Sequence, residues 1–512
     1  MHGLGPLRVD LSEAAWSNLT HMCRACLVVL AWAMMAVGAA HAAEPDPNKA
    51  AADFGMFRQP LPDPDGRVQG KWDFPPLRPL ADKRAGENVR RTMTLLTGST
   101  PQKRNKLRVL IYGQSLSKQS WAGRVRDELM RRYPSVDLEF YNRSIGGFIS
   151  SMLVRTLEQD VIPLYPDLVV LHDYGSEDLY EDIIRQIRTR TTAEVMVQTD
   201  PITPGQKLSW HDAHAKWMRG LAERWHLELV DIRQAWVDYI QQQKISVEKL
   251  LLEDKGHLND WGNFTWAEAT LQHFVPASGV GDQSQGNTVN PVSDVVVGAN
   301  VKWIDNVLRV PFIGNRIDLI SPFDAKGAAA QVLIDGKAPS QFPQLYTFTR
   351  PNADANRDWP WATGAVIRVD SRAPLVLEDW TVTFNSVDKT GKIFGFDVQG
   401  SVTGYDGSGD TVSPFVSRSG RVALSPGDWF LERVHGRNAN RIGPGYNVTF
   451  SVVLQGKDTF IEAGCVDAER LCSTTIAAGL PSGPHTLELV QTTAARPALN
   501  MVRVYKPMQD VR

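Results

Sequence analysis

At 512 residues the chain exceeds the ~100–200 residues usual for one domain, which predicts two or three. It is 43% hydrophobic and 22% charged, enough to bury real cores, and Lys+Arg 55 against Asp+Glu 57 leaves a formal charge of -2. A basic nucleic-acid binder, a collagen-like rod and a polytopic membrane protein are excluded on these grounds.

The N-terminus reads as an address. After Arg24, Ala25 to Ala40 are all apolar or small, and Ala40-His41-Ala42 follows as a small-x-small end. A charge, a short greasy stretch and a cleavable end predict a signal peptide over 1–42, cut after Ala42, with Met22 as an alternative start. The greasy run is shorter than the ~20 residues that span hydrocarbon, so no membrane insertion is expected after cleavage. Cys23 and Cys26 would leave with it, and Cys465 with Cys472 are expected to close one small disulfide loop in an exported chain, periplasmic or extracellular.

Residues 43–105 are Pro-rich and charged with little periodicity and read as an extended arm. From 106 to 275 short apolar runs alternate with amphipathic stretches. Strands are predicted at Leu107–Tyr112, Leu138–Tyr141, Leu168–Leu171, Val195–Gln198 and Leu227–Val230. Helices are predicted at Gln119–Arg132, Leu179–Ile187, His214–Trp225 and Trp261–Phe274. That alternation implies an α/β fold, a parallel sheet with helices on both faces. A Gly/Ser/Gln/Asn-rich linker, 276–291, precedes a second domain over 292–512. There, short strands such as Val307–Val310, Arg316–Ile320, Gln331–Ile334, Phe394–Val398, Val448–Leu454, Thr486–Val490 and Val502–Tyr505, with Asp335-Gly336 as a hairpin signal, predict a β-sandwich. The stretch between Gln341 and Tyr446 leaves room for further strands.

Two segments carry candidate chemistry. Directly after the first strand stands Gly113-Gln114-Ser115-Leu116-Ser117, placing a serine at the sheet edge where open α/β folds keep their ligands. Before the last helix lies Asp254-Lys255-Gly256-His257-Leu258-Asn259-Asp260. A serine hydroxyl needs a base to take its proton, and a histidine so used needs a carboxylate to fix its tautomer. Either segment alone reads as easily as a helix cap or a solvated loop.

The ordered set, Gly-Gln-Ser, then Ser144-Ile145-Gly146-Gly147, Gly175-Ser176-Glu177-Asp178 and Asp254-x-x-His257, resembles the SGNH (GDSL-type) hydrolases over about residues 105–275. The resemblance implies a flavodoxin-like three-layer α/β/α domain, with Ser115 as nucleophile, His257 as base and Asp254 as its orienting partner. It implies oxyanion donors at the amides of Ser115 and Gly147, with Gly146 as second choice. Gln114 departs from the family's aspartate, and Glu177 stands at the family's oxyanion asparagine, where an ionised glutamate cannot donate. Asn142 is the candidate substitute.

His172-Asp173 reads as structural or pocket-lining, and His211, Asp212 and His214 sit too close together at one helix start to suggest a metal. In the second domain, Leu480 to Leu489 (LPSGPHTLEL) resembles a form recurring in jelly-roll, carbohydrate-binding-like domains, and Trp359 and Trp361 are placed to stack on a sugar or fill a core. The whole resembles a secreted esterase that removes acyl, above all acetyl, groups from a glycan, with no cofactor, no metal and no nucleic-acid partner. The rivals are a glycan O-acyltransferase on the same three residues and a glycan-binding protein with a degenerate hydrolase domain. Oligomeric state is left open.

Overall fold

The computed structural model describes residues 73–205, 208–276, 291–322, 324, 327–351, 365–431, 442–462 and 472–508. The signal segment, most of the linker, Trp359, Trp361 and Cys465 lie outside them, and with Cys465 the expected disulfide pairing.

The first half is a three-layer unit. Its strands are β1 (Lys106–Gly113), β2 (Asp137–Asn142), β3 (Leu168–His172), β4 (Glu194–Gln198) and β5 (Glu228–Val230). They lie in the order β2-β1-β3-β4-β5, every pairing parallel. The helices are α1 (Arg90–Thr97), α2 (Trp121–Arg132), α3 (Ser150–Asp160), α4 (Glu177–Arg190), α5 (Leu208–Trp225), α6 (Ile232–Gln243) and α7 (Asp260–Leu271).

Alternation along the buried strands sorts their side chains into two cores, as the period of two requires. Leu107, Val109 and Ile111 of β1 pack with Trp121, Trp236 and Trp266 under α1, α2, α6 and α7. Leu110 and Tyr112 pack with Leu153, Leu157, Ile183, Ile187 and Met218 under α3, α4 and α5. Capping fixes where helices begin: Ser176 starts α4, with Glu177 and Asp178 in its first turn and Arg188 and Arg190 in its last, charges that suit the helix dipole.

The reading of 43–105 as an extended arm is corrected at α1, whose Met93 and Leu96 are buried. Its first turn is held from a distance, because the Glu194 carboxylate accepts from the Arg91 and Thr92 amides at 2.8 Å each. Helices α3 and α6 also lie where no helix is predicted above.

Across the β1–β2 register Arg108 faces Glu139, and the Glu139 carboxylate meets Arg108 at 2.7 Å and Lys106 at 2.9 Å. Burial works against its charge, but Arg108 and Lys106 outweigh burial and hold the pKa at about 2. A carboxyl depressed in the fold stabilises fully above its unfolded pKa and loses that contribution as pH falls through the folded one. Stability should therefore drop between about pH 4.5 and 2, by up to about 3 kcal/mol from this group. Urea titrations across that range should show a shallower acid limb for Glu139→Gln than for the wild type.

The second half is sheet-rich: among the described residues its long elements are strands. One antiparallel sheet has the strand order Thr459–Ile461, Ala329–Ile334, Cys472–Gln491, Val307–Ser321, Met501–Tyr505, Val292–Val296. The two separate runs expected at 307–310 and 316–320 are one 15-residue strand. The LPSGPHTLEL phrase lies inside the 20-residue strand Cys472–Gln491, at a register shift between Ala478 and Gly483. A second antiparallel sheet, Tyr346–Phe348, Asn447–Leu454, Asp379–Val387, Phe394–Gly400 and Gly404–Asp410, draws four of its five strands from the 341–446 stretch. Among the described residues the two sheets gather separate cores, one around Leu319, Val332, Leu487 and Val502, the other around Trp380, Phe384, Phe396 and Val448. The single sandwich expected over 292–512 is thus two sheet-based cores. The second half packs on the α3 side of the first, where Ile367 joins the core and Phe430 meets Phe148 edge-on at 4.9 Å.

Candidate active site

β1 ends at Gly113, and the chain turns at once into a short 3-10 helix, Ser115–Lys118. Glycine is required here: at φ +151° an added Cβ would lie 2.0 Å from the His172 carbonyl oxygen of the neighbouring strand. Ser115 is thereby set at the carboxyl edge of the parallel sheet.

The Asp254–His257 turn reaches the same edge because Gln119, four residues past Ser115, clamps it. Its Nε2 donates to the Leu258 carbonyl at 3.0 Å and its Oε1 accepts from the Leu258 amide at 3.1 Å. Asn259 caps α7 from its other side, accepting from the amides of Trp261 and Gly262. His257 Nε2 then lies 3.0 Å from Ser115 Oγ, and His257 Nδ1 lies 2.6 Å from Asp254 Oδ2. Asp254 Oδ1 accepts from the amides of Gly256 and His257 at 2.9 Å each. Burial opposes the charge on Asp254, but those two amides and the imidazole outweigh it and bring the carboxyl to about 2. An imidazole held by an ionised carboxylate on one nitrogen can take a hydroxyl proton on the other. The arrangement is open, the Asp254 and His257 side chains being 52% and 39% exposed.

The donors expected around a developing oxyanion fare unevenly. The Ser115 amide is engaged at 2.9 Å by Oε1 of Gln114, which also accepts from Ser115 Oγ at 2.9 Å. A substrate carbonyl must displace that oxygen to use the amide. Gly147 has φ +74° in a loop tied to β1 by the Ile145 amide, which donates to the Gly113 carbonyl at 2.8 Å. Gly146 belongs to the same loop. Asn142 is not a spare donor: its Nδ2 donates to the Ser117 carbonyl at 2.7 Å and its Oδ1 accepts from the Ser144 amide at 3.0 Å, joining the two loops. Glu177 opens α4 with its side chain half exposed and 3.7 Å from His214 Nδ1.

A second polar group, which sequence order alone did not assemble, lies beside the first. His172 is fully buried, with Nε2 3.1 Å from Asp200 Oδ1, and Asp200 Oδ2 faces His211 Nδ1 at 3.5 Å. Burial opposes the Asp200 charge, but the two imidazoles hold the carboxyl below its usual range. Burial pushes Asp173 well above that range. Asp212 pairs instead with Arg233 at 2.7 Å. Among the described residues no group of three or more His, Cys, Asp or Glu is placed to hold a metal ion, and no helix is long and apolar enough to cross a membrane. The two described cavities lie away from Ser115: about 220 Å³ where Glu158 and Arg190 meet Asn315 and Tyr346, and about 770 Å³ between Arg78, Arg219, Asp238 and His273.

No family model and no curated protein matches the chain. Solved structures that resemble it include a two-domain esterase (CEX) active on acetylated mannans, at 12% identity over 83% of this chain and 96% of that one, TM-score 0.33. Axe2, an acetylxylan esterase from Geobacillus stearothermophilus, is 18% identical over 34% of this chain and 96% of its own, TM-score 0.30. LAE5, an alpha/beta hydrolase enzyme from the metagenome of Lake Arreo, Spain, is 19% identical over 35% of this chain and 99% of its own, TM-score 0.30. At such scores these likenesses add no weight to the geometry, and function is read from the site.

Proposed function

We propose that the chain is an exported serine esterase of the SGNH type, with a flavodoxin-like catalytic domain, that removes acetyl groups from a polysaccharide or other glycan. The observation that carries this reading is the continuous line of contacts from Asp254 through His257 to Ser115 Oγ, at 2.6 and 3.0 Å. Ser115 Oγ attacks the acyl carbon while its proton passes to His257 Nε2. The tetrahedral intermediate collapses by breaking the bond to the sugar oxygen, which leaves with the proton from His257, and Ser115 is left acylated. His257 then takes a proton from water, the hydroxide attacks the acyl carbon, and acetic acid and free Ser115 are released. The Ser115 and Gly147 amides would receive the oxyanion, Gly146 being the second choice. An exposed triad suits a polymer that must reach it from solution, and no cofactor enters these steps.

A fluorophosphonate probe tests the reading directly. The wild type should be labelled at one residue and release acetate from 4-nitrophenyl acetate, and Ser115→Ala should do neither. Equal labelling of both proteins would refute an activated Ser115. Release of acetylated glycan instead of acetate, when a sugar acceptor is present, would reassign the same residues to acyl transfer.

A further inference from the structure

We infer that Trp210 and His211, backed by Asp200, form a sugar-binding subsite that holds the alcohol side of the ester beside Ser115. The inference rests on the esterase reading for its substrate and on separate residues for its geometry.

Trp210 lies in the first turn of α5. One face of its indole stacks on His214 at 5.4 Å and 3°, and His214 stacks in turn on Trp217 at 5.3 Å and 19°. Trp210 nevertheless stays 45% exposed. A large aromatic ring braced by stacking and partly open to solvent offers the C–H face of a pyranose a rigid apolar surface at little entropic cost.

His211 adds the polar half of the subsite. Its ring crosses Trp210 at 4.7 Å and 87°. Nδ1 is turned inward to Asp200 Oδ2 at 3.5 Å, while 18% of the side chain stays open. A carboxylate facing one nitrogen favours a proton there and leaves Nε2 as the atom that can meet a ligand hydroxyl. Asp200 is itself steadied by His172, whose carbonyl accepts from the Gln114 amide at 3.3 Å and the Ser117 hydroxyl at 3.4 Å. A contiguous set of contacts thus joins the Ser115 turn to Trp210. Asp200 follows β4, two strands from β1, so two strand spacings place it about 10 Å from the Ser115 edge. A glycan with its ester on Ser115 reaches that far with its neighbouring rings.

The test compares acetylated xylo- and manno-oligosaccharides with 4-nitrophenyl acetate, using the full chain. Trp210→Ala should lower the ratio of the two kcat/KM values roughly tenfold, through KM, with Trp210→Phe recovering part of the loss and His211→Ala losing several-fold. Titration calorimetry with the same oligosaccharides on a Ser115→Ala background should show the matching fall in affinity without chemistry. A ratio and an affinity unchanged within about twofold in Trp210→Ala and His211→Ala would overturn the subsite, as would equal losses on both substrates. If the wild type hydrolyses neither substrate, the esterase reading falls, and calorimetry still decides the subsite: weaker binding by the variants supports it, and unchanged or absent binding overturns it.

Discussion

Converting His257 to alanine is expected to lower turnover of an aryl acetate by about 10⁴–10⁶-fold while leaving thermal stability within about 0.5 kcal/mol of the wild type. The size of the loss follows from the two acceptors that Ser115 Oγ meets. Without the imidazole the hydroxyl keeps only Gln114 Oε1, at 2.9 Å. An amide oxygen cannot take the proton away, so the oxygen stays a poor nucleophile. Stability is spared because the His257 side chain is 39% exposed and caps no helix. Asp254→Asn should cost less, about 10²–10⁴-fold, by offering Nδ1 an N–H and favouring the tautomer that carries its proton on Nε2. The smaller figure reflects position: Asp254 is 52% exposed, so water can partly replace the lost acceptor. Steady-state kinetics with a melting curve for each variant checks both numbers. A His257→Ala protein that retains the wild-type rate within about tenfold would remove the proton-transfer role assigned to that ring.

What the sequence disclosed depended on how local the responsible physics is. Strands β1, β3 and β4 are buried on both faces, so β3 and β4 carry unbroken apolar runs and β1 one from Val109 to Tyr112, and such runs are visible without a structure. Asp254 and His257 are joined within one turn, a contact three residues long. By contrast α1 has three threonines among its eight residues and sits amid prolines; its first-turn amides at Arg91 and Thr92 are satisfied by Glu194, about a hundred positions away. Helix α6 was legible in principle, since Ile232, Trp236 and Tyr239 recur at helical spacing. The strand Gly404–Asp410 reads as a loop from its composition (GYDGSGD). It is a strand because Gly409 leaves room for Phe415 and Phe396, whose rings would lie 2.7 and 2.9 Å from a Cβ there. At the site, Ser115 and His257 are 142 positions apart, and the sequence alone offers their order but not the Gln119 clamp that brings them together. The His172–Asp200–His211 group escaped for the same reason, its members coming from β3, the end of β4 and α5.

Removing the carboxylate of Asp318 is expected to destabilise the second half of the chain by about 3–5 kcal/mol. Asp318 and Arg316 are 1% and 5% exposed and form a paired contact, Nε to Oδ1 at 3.0 Å and Nη2 to Oδ2 at 2.8 Å. The Tyr505 hydroxyl donates to the same carboxylate at 2.9 Å, and the guanidinium lies over the rings of Tyr165 and Tyr505 at 4.8 and 4.5 Å. Burial opposes both charges, yet the pairing keeps Asp318 below its usual range and Arg316 above its own. Asp318→Ala would therefore strand a buried cation that cannot shed its proton, with Thr475 Oγ1 at 3.1 Å as its remaining side-chain hydrogen-bond partner. Because Tyr165 precedes β3 in the first half, that stranded charge sits at the seam between the halves, and the seam should loosen with it. Urea unfolding of Asp318→Ala should show the loss, and the double variant Arg316→Met with Asp318→Leu should recover most of it by taking both charges away. Recovery in the double variant distinguishes an uncompensated charge from a simple cavity, since a cavity would deepen no less when the arginine is also removed.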